Sequence, residues 1–303
     1  MDNRSEVRQF LVTRRAKIGP QQAGLPTYGG NRRVKGLRRE EVALLAGVSV
    51  EYYARLERGN LSGVSESVLK AITRALQLDE AERAHLSDLA RAANSSAREP
   101  RRRRALKVRP AVQQLLDSMT EAPAFVRNGR LDVLATNRLG RALYAPLFEN
   151  PANRSNLARF RFLDPRSDDY YPDWDDSAAT TANLLRTEAG RDPGNRDLTE
   201  LIGELSTRSE DFRARWAAHD VRLHQTGVKY MHHPVVGDLT LSFEAMPLPA
   251  DPGLTLTAYS AEPGSPSRDA LNLLASWATT LELKENEERE QTEETATRSA
   301  NPA

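Results

Sequence analysis

The sequence predicts two domains: an all-α domain, then an α+β domain in which helices flank a five-stranded antiparallel sheet. Its 303 residues suit two domains of ordinary size. Helix signals fill the first third of the chain, whereas hairpin signals begin only after it. The charge divides at a similar place, since residues 1–110 hold 23 basic and 12 acidic side chains and the remainder holds 20 and 30. The first domain is therefore the one expected to approach a polyanion.

The absence of cysteine narrows the possible chemistry. It excludes disulfides, thiolate catalysis and cysteine-based zinc fingers. No apolar run approaches the roughly 18 residues that a membrane-spanning helix needs. The first residues, MDNRSEVRQF, lack the apolar core of a signal peptide. We therefore expect a cytoplasmic protein that does not bind membranes.

Five helices are predicted in the first domain. The first ends at Gly19-Pro20, which neither continues a helix nor favours one. Ser49 and Ser65 are good N-caps for the third and fourth helices, and Asp79-x-x-Glu82 resembles a capping box for the fifth. The predicted helices cover residues 6–18, 38–46, 50–58, 65–76 and 79–93.

Two hairpins and a series of helices are predicted in the second domain. β-prone runs flank Asn128-Gly129 and, later, Gly237-Asp238, both of which favour tight turns. "GLTLTAYSAE" predicts a fifth strand. Helices are predicted for "NRLGRALYAPLF" and "SRDALNLLASWATTLEL", and near residues 174–190, 197–206 and 209–218.

Composition sets the domain boundaries. The prolines and arginines around 98–110 predict a basic linker, in which Arg101–Arg104 either touch phosphates or are simply solvated. The residues after 282 have almost no apolar side chains, which predicts a disordered polar tail. The predicted segments are therefore a first domain at 1–97, the linker at 98–110, a second domain at 111–282 and the tail at 283–303.

The stretch "LRREEVALLAGVSVEYYARLERGN", residues 37–60, has the pattern of a helix-turn-helix. Ala43 is small where the second helix crosses, and Gly47 can adopt the positive φ of a sharp turn. Val48 and Leu56 can fill the crossing. Ser49 then begins the second helix, so that its first turn lies at the surface, where such helices meet the major groove of DNA.

Helical spacing selects the candidate DNA contacts. The base-reading candidates on the outward face are Val50, Glu51, Tyr52 and Arg55, while Tyr53 and Leu56 are expected to turn inward. Alternatively, Glu51 pairs with Arg55 and the arginines at 38 and 39 are only solvated. The candidates for phosphate contacts are Arg32, Arg33, Arg38, Arg39, Ser49, Arg58 and Asn60.

Both halves resemble one class of regulators. The helix-turn-helix stretch resembles the lambda-repressor-type DNA-binding domain of the xenobiotic-response-element (XRE) family, in the form found in MmyB-like actinobacterial regulators. "DFRARWAAHDVR" and "KYMHHPVVGDLTLSFEAMPLP" are similar to MmyB-like ligand-binding domains. The resemblance implies a five-helix domain whose third helix reads DNA, followed by a PAS-like domain that encloses a fatty acid or similar apolar ligand. Tyr52 stands where many relatives carry a smaller polar residue.

A ligand with an anionic head group needs a cation or several donors in an apolar pocket. We predict a pocket formed by Asn137, Phe162, Trp174, Arg213 and Trp216, in which Arg213 supplies the charge. Alternatively, Trp216 belongs to the core and Arg213 pairs with Asp220 or with the sheet.

No metal site and no catalytic site are predicted. His232 and His233 are neighbours on a strand and therefore point to opposite faces. The aspartates of "SDDYYPDWDD" lack the loop glycine and terminal glutamate of an EF-hand, so that a polar surface loop is the better interpretation.

The expected function is a ligand-responsive transcriptional regulator. It would bind double-stranded DNA as a homodimer and hold a small apolar or fatty-acid-like molecule, with no further cofactor. The alternatives are an enzyme tethered to DNA and a protein-interaction adaptor. Because the sequence lacks phosphate-binding glycine loops and a spaced metal set, an enzyme is not expected.

Overall fold

The computed structural model describes residues 3–26, 34, 36–94, 107–221 and 225–280. It begins with five helices, each within three residues of its predicted start. The hydroxyls of Ser49 and Ser65 accept from the backbone N–H groups of Tyr52 at 3.1 Å and Val68 at 3.3 Å, which confirms both N-caps. These helices are α1 (Asn3–Lys17), α2 (Arg39–Ala46), α3 (Val50–Glu57), α4 (Glu66–Ala75) and α5 (Glu80–Asn94).

A mixed series of helices and strands follows. It opens with α6 (Pro110–Ser118) and the hairpin of β1 (Ala124–Asn128) and β2 (Val133–Thr136). The helices that follow are α7 (Arg138–Leu143), α8 (Ala145–Glu149), α9 (Leu157–Leu163), α10 (Arg166–Tyr170), α11 (Trp174–Arg191), α12 (Arg196–Arg208) and α13 (Glu210–Ala217). The described chain ends with β3 (Thr226–His233), β4 (Gly237–Pro247), β5 (Leu254–Ser260) and α14 at residues 266–280.

The five strands form one antiparallel sheet in the order β2-β1-β5-β4-β3, as the alternating pattern predicted. Because successive side chains point to opposite faces, the register assigns each residue to a face. One face, here called the inner face, carries Phe125, Phe243 and Tyr259. It packs against apolar side chains of α7–α10 and α14. The opposite face of β1 and β5 packs against α6 through residues such as Leu116.

The described chain packs into two compact units. The helical unit consists of the residues up to 94 together with 176–221, and the sheet unit consists of 107–175 and 225–280. We expected 111–282 to form one domain, but α12, α13 and most of α11 lie with the N-terminal helices. Charged side chains of α11 pair with α1 and α5, as described below. The domain boundaries drawn from composition therefore stay a prediction, and the compact units follow a different division.

Each unit has its own hydrophobic core. The core of the helical unit gathers buried residues of α1 to α5, among them Phe10, Val42, Tyr53 and Leu89, and Val221 after α13 joins it. The core of the sheet unit is rich in aromatic side chains between the inner face and α7–α10. Both cores therefore combine residues that lie far apart in the sequence.

Three local predictions differ from the structure. The second hairpin turns at residues 234–236, because His233 pairs with Gly237 and closes the ladder before the predicted turn. Residues 110–118, predicted as the linker end and an unassigned segment, form α6, since Pro110 suits the first helical position. The aspartate-rich stretch is a surface loop only in part, because Tyr170 and Tyr171 within it are buried.

Part of the prediction lies outside the described residues, namely the tail at 283–303 and residues 98–106 of the linker. Within the described residues, no helix combines the length and hydrophobicity that crossing a bilayer requires.

Candidate functional site

The turn between α2 and α3 has the geometry of a helix-turn-helix. Gly47 adopts a φ of 64°, in the left-handed region that glycine favours. Val48 then donates its N–H to the Ala43 carbonyl oxygen at 3.0 Å, and Ser49 caps α3. The predicted roles of Gly47 and Ser49 are confirmed. Because the cap is exposed, the first turn of α3 is presented at the surface.

The predicted base-reading side chains lie on the outward face of α3. Val50, Glu51 and Arg55 are exposed, whereas Tyr52 is half-buried and packs against the core. The Arg55 guanidinium lies 5.9 Å from the centroid of the Tyr52 ring and donates to the Ser62 carbonyl oxygen at 3.0 Å. Tyr52 therefore supports Arg55, while three exposed side chains remain available to a partner.

A buried carboxylate fixes α3 to the two other helices of this region. Glu57 accepts from Arg15 Nε of α1 at 2.5 Å and from Arg39 Nε of α2. Arg15 also donates to the Leu37 carbonyl oxygen at 2.8 Å. Arg39 was predicted to contact phosphate. Its Nε pairs with Glu57, and about half of the side chain stays exposed, so the phosphate contact stays a prediction.

The other candidates for phosphate contacts differ in solvent exposure and in the hydrogen bonds they already make. Arg38 and Arg58 are exposed at the start of α2 and the end of α3. Asn60 closes a local turn with its Oδ1, and the Ser49 hydroxyl is engaged as the α3 cap. Two candidates of the first loop lie outside the described residues, namely Arg32 and Arg33.

Asn137 has a different role from the one predicted. Its Oδ1 accepts from the N–H groups of Ala124 at 2.9 Å and Gly140 at 2.7 Å. Its Nδ2 donates to the carbonyl oxygens of Met119 at 2.6 Å and Ala122 at 2.7 Å. These four bonds use the whole capacity of the amide. Asn137 therefore caps α7 and holds the start of β1, and we leave it out of the ligand-binding set.

The other predicted pocket residues divide between the two units. In the sheet unit, Phe162 and Trp174 meet edge to face with centroids 6.1 Å apart, and Trp174 Nε1 donates to Ser167 Oγ at 3.2 Å. Arg213 and Trp216 belong to the helical unit, where Arg213 is exposed. Neither unit by itself assembles the predicted pocket.

Three cations that the sequence analysis did not select lie together in the sheet unit. Arg127 and Lys229 project from the inner face, opposite Thr255 and Leu241 in the ladder. The third, Arg161, is buried on α9. Burial, together with the positive charges of Arg161 and Arg127, lowers the pKa of Lys229 to about 7. We call these three residues the inner-face cations.

Tyrosines surround the inner-face cations. The Arg161 guanidinium lies 3.2 Å from the centroid of the Tyr171 ring, and Lys229 Nζ lies 5.8 Å from the same centroid. The hydroxyls of Tyr144 and Tyr259 are hydrogen bonded at 2.7 Å. Burial raises the pKa of both tyrosines above the ordinary value, so they stay neutral at physiological pH. The ring of Tyr171 therefore stabilises Arg161 and Lys229 through its π face and carries no negative charge of its own.

The strand pattern explains why Lys229 was missed. Val228 and Tyr230 are the apolar members of the alternation and were the natural choice for the buried face. In the structure both are exposed, about half of each side chain reaching solvent, whereas Lys229 points inward. The available signal was Met231 and His233, which share the face of Lys229 and are buried.

The two neighbouring histidines obey the alternation as predicted. His233 is buried against the Ala142 carbonyl oxygen at 3.1 Å, and His232 is exposed beside Asp238. Among the described residues, no group of three His, Cys, Asp or Glu side chains is arranged to hold a metal ion.

Comparison with protein families agrees with this geometry. Residues 108–274, more than half of the chain, match the family model of the MmyB-like transcription regulator ligand binding domain. The chain belongs to this family. Residues 14–86, from within α1 to within α5, match a helix-turn-helix domain. No curated protein matches the chain.

This MmyB-like regulator is therefore a ligand-responsive, DNA-binding transcription regulator. The family models describe a DNA-binding domain and a ligand-binding domain, and neither describes an enzyme. The inner-face cations lie within the range of the ligand-binding family, and so do α11, α12 and α13. The helices that pack with the DNA-binding region thus belong by family to the ligand-binding domain.

Proposed function

We propose that the regulator reads DNA as a homodimer through α3, in the manner of lambda-repressor-type proteins. Val50 suits a thymine methyl group, Glu51 accepts from cytosine N4, and Arg55 donates to guanine O6 and N7. Arg38 and Arg58 flank α3 with exposed charge for phosphates. The loop residues Arg32 and Arg33, together with Ser49 and Asn60, complete the proposed phosphate set. Two recognition helices about 34 Å apart would read two half-sites.

Selection of a duplex from a random library tests this DNA-binding proposal. Wild-type protein is expected to enrich a two-fold symmetric sequence. Arg55→Ala is expected to lose discrimination at one base pair of each half-site, worth about 1–3 kcal/mol. Arg58→Ala is the control, because losing a phosphate contact weakens binding to all sequences alike and lowers the salt slope by about one. Unchanged discrimination by Arg55→Ala would remove that residue from the reading set.

The proposed ligand is an amphipathic carboxylate, such as a fatty acid, held in a PAS-like sheet unit. The observation that carries this proposal is the group of inner-face cations. Every influence on the pKa of Lys229, namely burial, Arg161 and Arg127, disfavours its charged form. A carboxylate placed among these cations would reverse that balance and restore the charge of the lysine. The surrounding aromatic and aliphatic side chains suit an acyl chain.

Phe162 and Trp174 stay in the proposed binding set as an aromatic wall next to Arg161. Arg213 and Trp216 do not, because they belong to the helical unit. Arg161 therefore takes the role that the sequence analysis gave to Arg213, that of the cation for the head group.

Calorimetric titration with palmitate and with methyl palmitate tests the ligand class. Both molecules offer the same acyl chain, and only palmitate carries a charge. Palmitate is expected to bind and the ester is expected to bind much more weakly. Equal binding of the two would contradict an anion site. Native mass spectrometry of the purified protein, followed by organic extraction, identifies any molecule carried along and shows whether the protein is a dimer.

A further inference from the structure

A second group of buried charges lies in the helical unit and joins α11 to α1. Arg186 of α11 donates through Nη1 to the carboxylate of Glu6 in α1, and both residues are buried. His219 Nδ1 lies 2.8 Å from the same guanidinium nitrogen and 3.5 Å from Glu6 Oε1. His85 of α5 lies 3.8 Å from that oxygen. Glu6 therefore gathers groups from α1, α5, α11 and the segment after α13.

The packing around Arg186 is closely fitted. Its guanidinium lies 4.0 Å from the Trp216 ring centroid and donates to the Trp216 carbonyl oxygen. Trp216 in turn stacks on Phe212, so that the alternative interpretation of Trp216 as a packing residue holds. One turn after Arg186, a Cβ added at Gly190 would lie 2.5 Å from the His85 ring. These contacts hold α11 against α1 and α5 in one arrangement.

A second clamp of the same kind involves the loop after α13. Arg14 of α1 is buried and donates to Glu82 at 2.7 Å, to Asp220 at 3.2 Å and to the His219 carbonyl oxygen. Lys17 reaches the same Asp220 at 2.5 Å. The segment 176–221 is therefore bound to α1 at two separate points.

The two helices that the Arg186–Glu6 ion pair joins, α1 and α11, each contact a region with a proposed function. At one end, α1 holds the recognition helix through Arg15 and Glu57. At the other, α11 begins with Trp174, which packs on Phe162 of α9, the neighbour of Arg161 in sequence. One continuous helix therefore has its first residue beside a proposed ligand-binding helix and its last turns bound to α1.

We propose that α11 transmits the ligand signal to DNA binding, with the Arg186–Glu6 ion pair as the contact that passes the signal to α1. The inference rests on the proposed ligand site and adds how that site communicates. Ligand binding that shifts α9 displaces Trp174 and hence α11. The rigid attachment at Glu6 then moves α1 and, through Glu57, the recognition helix. An effect of this kind requires that the ligand binds the two arrangements unequally.

The test compares full-length variants for palmitate binding and for affinity to the duplex selected by the wild type, with and without palmitate. Arg186→Met removes the transmitting charge and keeps much of the side-chain length. Arg208→Met is the matched control, since that arginine is half exposed on α12 and pairs only locally with Glu204. Palmitate is expected to change the wild-type Kd for DNA about fivefold or more. The change is expected to disappear in Arg186→Met and to persist in Arg208→Met, while all three bind palmitate alike.

The ion pair can also be removed from its acidic side, with a smaller change in side-chain shape. Glu6→Gln keeps the shape of its side chain and repeats the test should Arg186→Met fail to fold. A full palmitate response in a folded variant of either residue overturns the inference. Palmitate binding without any response in the wild type also overturns it and leaves the ligand proposal intact.

A measurement without ligand decides the inference even if palmitate does not bind. Hydrogen–deuterium exchange of the full chain should show faster exchange of the α3 amides in Arg186→Met or Glu6→Gln, beyond any rise in the α4 amides, by about two- to thirtyfold, the range expected of such couplings. Arg208→Met should leave α3 unchanged. If exchange rises in α11 but not in α3, the pair is a local structural contact and the inference fails.

Discussion

In the helical unit the carboxylate of Glu6 is paired with the guanidinium of Arg186, whereas on the inner face of the sheet Lys229 lies near two cations, Arg161 and Arg127. Although burial opposes it, the neighbouring imidazoles of His219 and His85 and the charge and hydrogen bond of Arg186 hold the pKa of Glu6 well below its usual range. The pKa of Lys229 is also lowered, but for a lysine this favours the neutral form. Glu6 has its counterion within the chain, and we propose that an anionic ligand binds near Lys229. The difference separates a structural ion pair from a proposed binding site.

The largest expected effect is on the free energy of unfolding, through the buried pair of Arg186 and Glu6. Arg186→Met leaves the Glu6 carboxylate buried without its cation and is expected to lower the free energy of unfolding by about 3–5 kcal/mol. Urea unfolding of the full chain, followed by circular dichroism, measures the loss. Combining it with Glu6→Gln should recover part of the loss, because the unpaired charge is then removed as well. A loss no larger than that of an exposed arginine would show that the cluster is not desolvated.

Acid should weaken the same cluster. Because the folded pKa of Glu6 is depressed, its contribution to stability is fully present above the ordinary value of 4.5 and is lost as the pH falls below it. Between pH 6 and pH 3, the wild type should therefore lose more stability than Glu6→Gln. Thermal unfolding at both pH values checks the difference, and parallel losses would contradict it.

A smaller effect is expected on ligand affinity at the inner-face cations. Arg161→Gln removes one charge-assisted contact to a carboxylate, worth about 1.5–3 kcal/mol, and should weaken palmitate binding roughly 10- to 100-fold. Binding of methyl palmitate should stay as it was. Arg138→Gln, at an exposed position that begins α7, is the control for general charge. If Arg161→Gln weakens acid and ester equally, the arginine supports the fold and not the head group.

Removing Lys229 is expected to stabilise the empty protein. Between about pH 7 and pH 10.5 the folded state binds fewer protons than the unfolded chain, so wild-type stability rises through this window. Lys229→Met should therefore raise Tm more at pH 6.5 than at pH 9.5. Each change of about 1 kcal/mol in the free energy of unfolding shifts Tm by a few degrees. A variant that lowers Tm at pH 6.5 would show that the ammonium is already well accommodated.

The smallest expected effect on stability comes from an exposed ion pair, and comparing it with the buried pair shows what burial contributes. Arg191 of α11 lies 3.3 Å from Asp88 of α5, and about half of its side chain is exposed. Arg191→Met should cost less than about 1 kcal/mol, because solvent screens such pairs. This pair joins α11 to α5, whereas the buried pair of Arg186 and Glu6 joins α11 to α1. A cost equal to that of Arg186→Met would indicate that position on α11, and not burial, matters.

The sequence predicted the parts of this protein that depend on local chemistry. Caps such as Ser49 and Ser65 and the turn at Gly47 are recognisable from a few neighbouring residues. The five strands followed from alternation and turn residues. Three of the four predicted base-reading residues, Val50, Glu51 and Arg55, are exposed on α3, because the helical period fixes which side chains turn inward.

The remaining features depend on tertiary packing. Nothing local to Arg186 indicates that it meets Glu6, 180 residues earlier in the chain. Lys229 was missed because Val228 and Tyr230, its apolar neighbours, face solvent. The sequence analysis selected Arg213 and did not consider Arg161. Both are arginines among aromatic residues, and only the fold distinguishes a buried position on α9 from an exposed one on α13.

The central proposal is that a carboxylate ligand binds next to Lys229 on the inner face, and the pKa of this lysine tests it most directly. The side-chain signal of this lysine, identified by its absence in Lys229→Gln, can be followed by NMR against pH with palmitate, with methyl palmitate and with neither. We predict a pKa of about 7 in the empty protein. We predict a rise of about one unit or more with palmitate, and no rise with the ester. A pKa that palmitate leaves unchanged, while palmitate is shown to bind, would contradict the account.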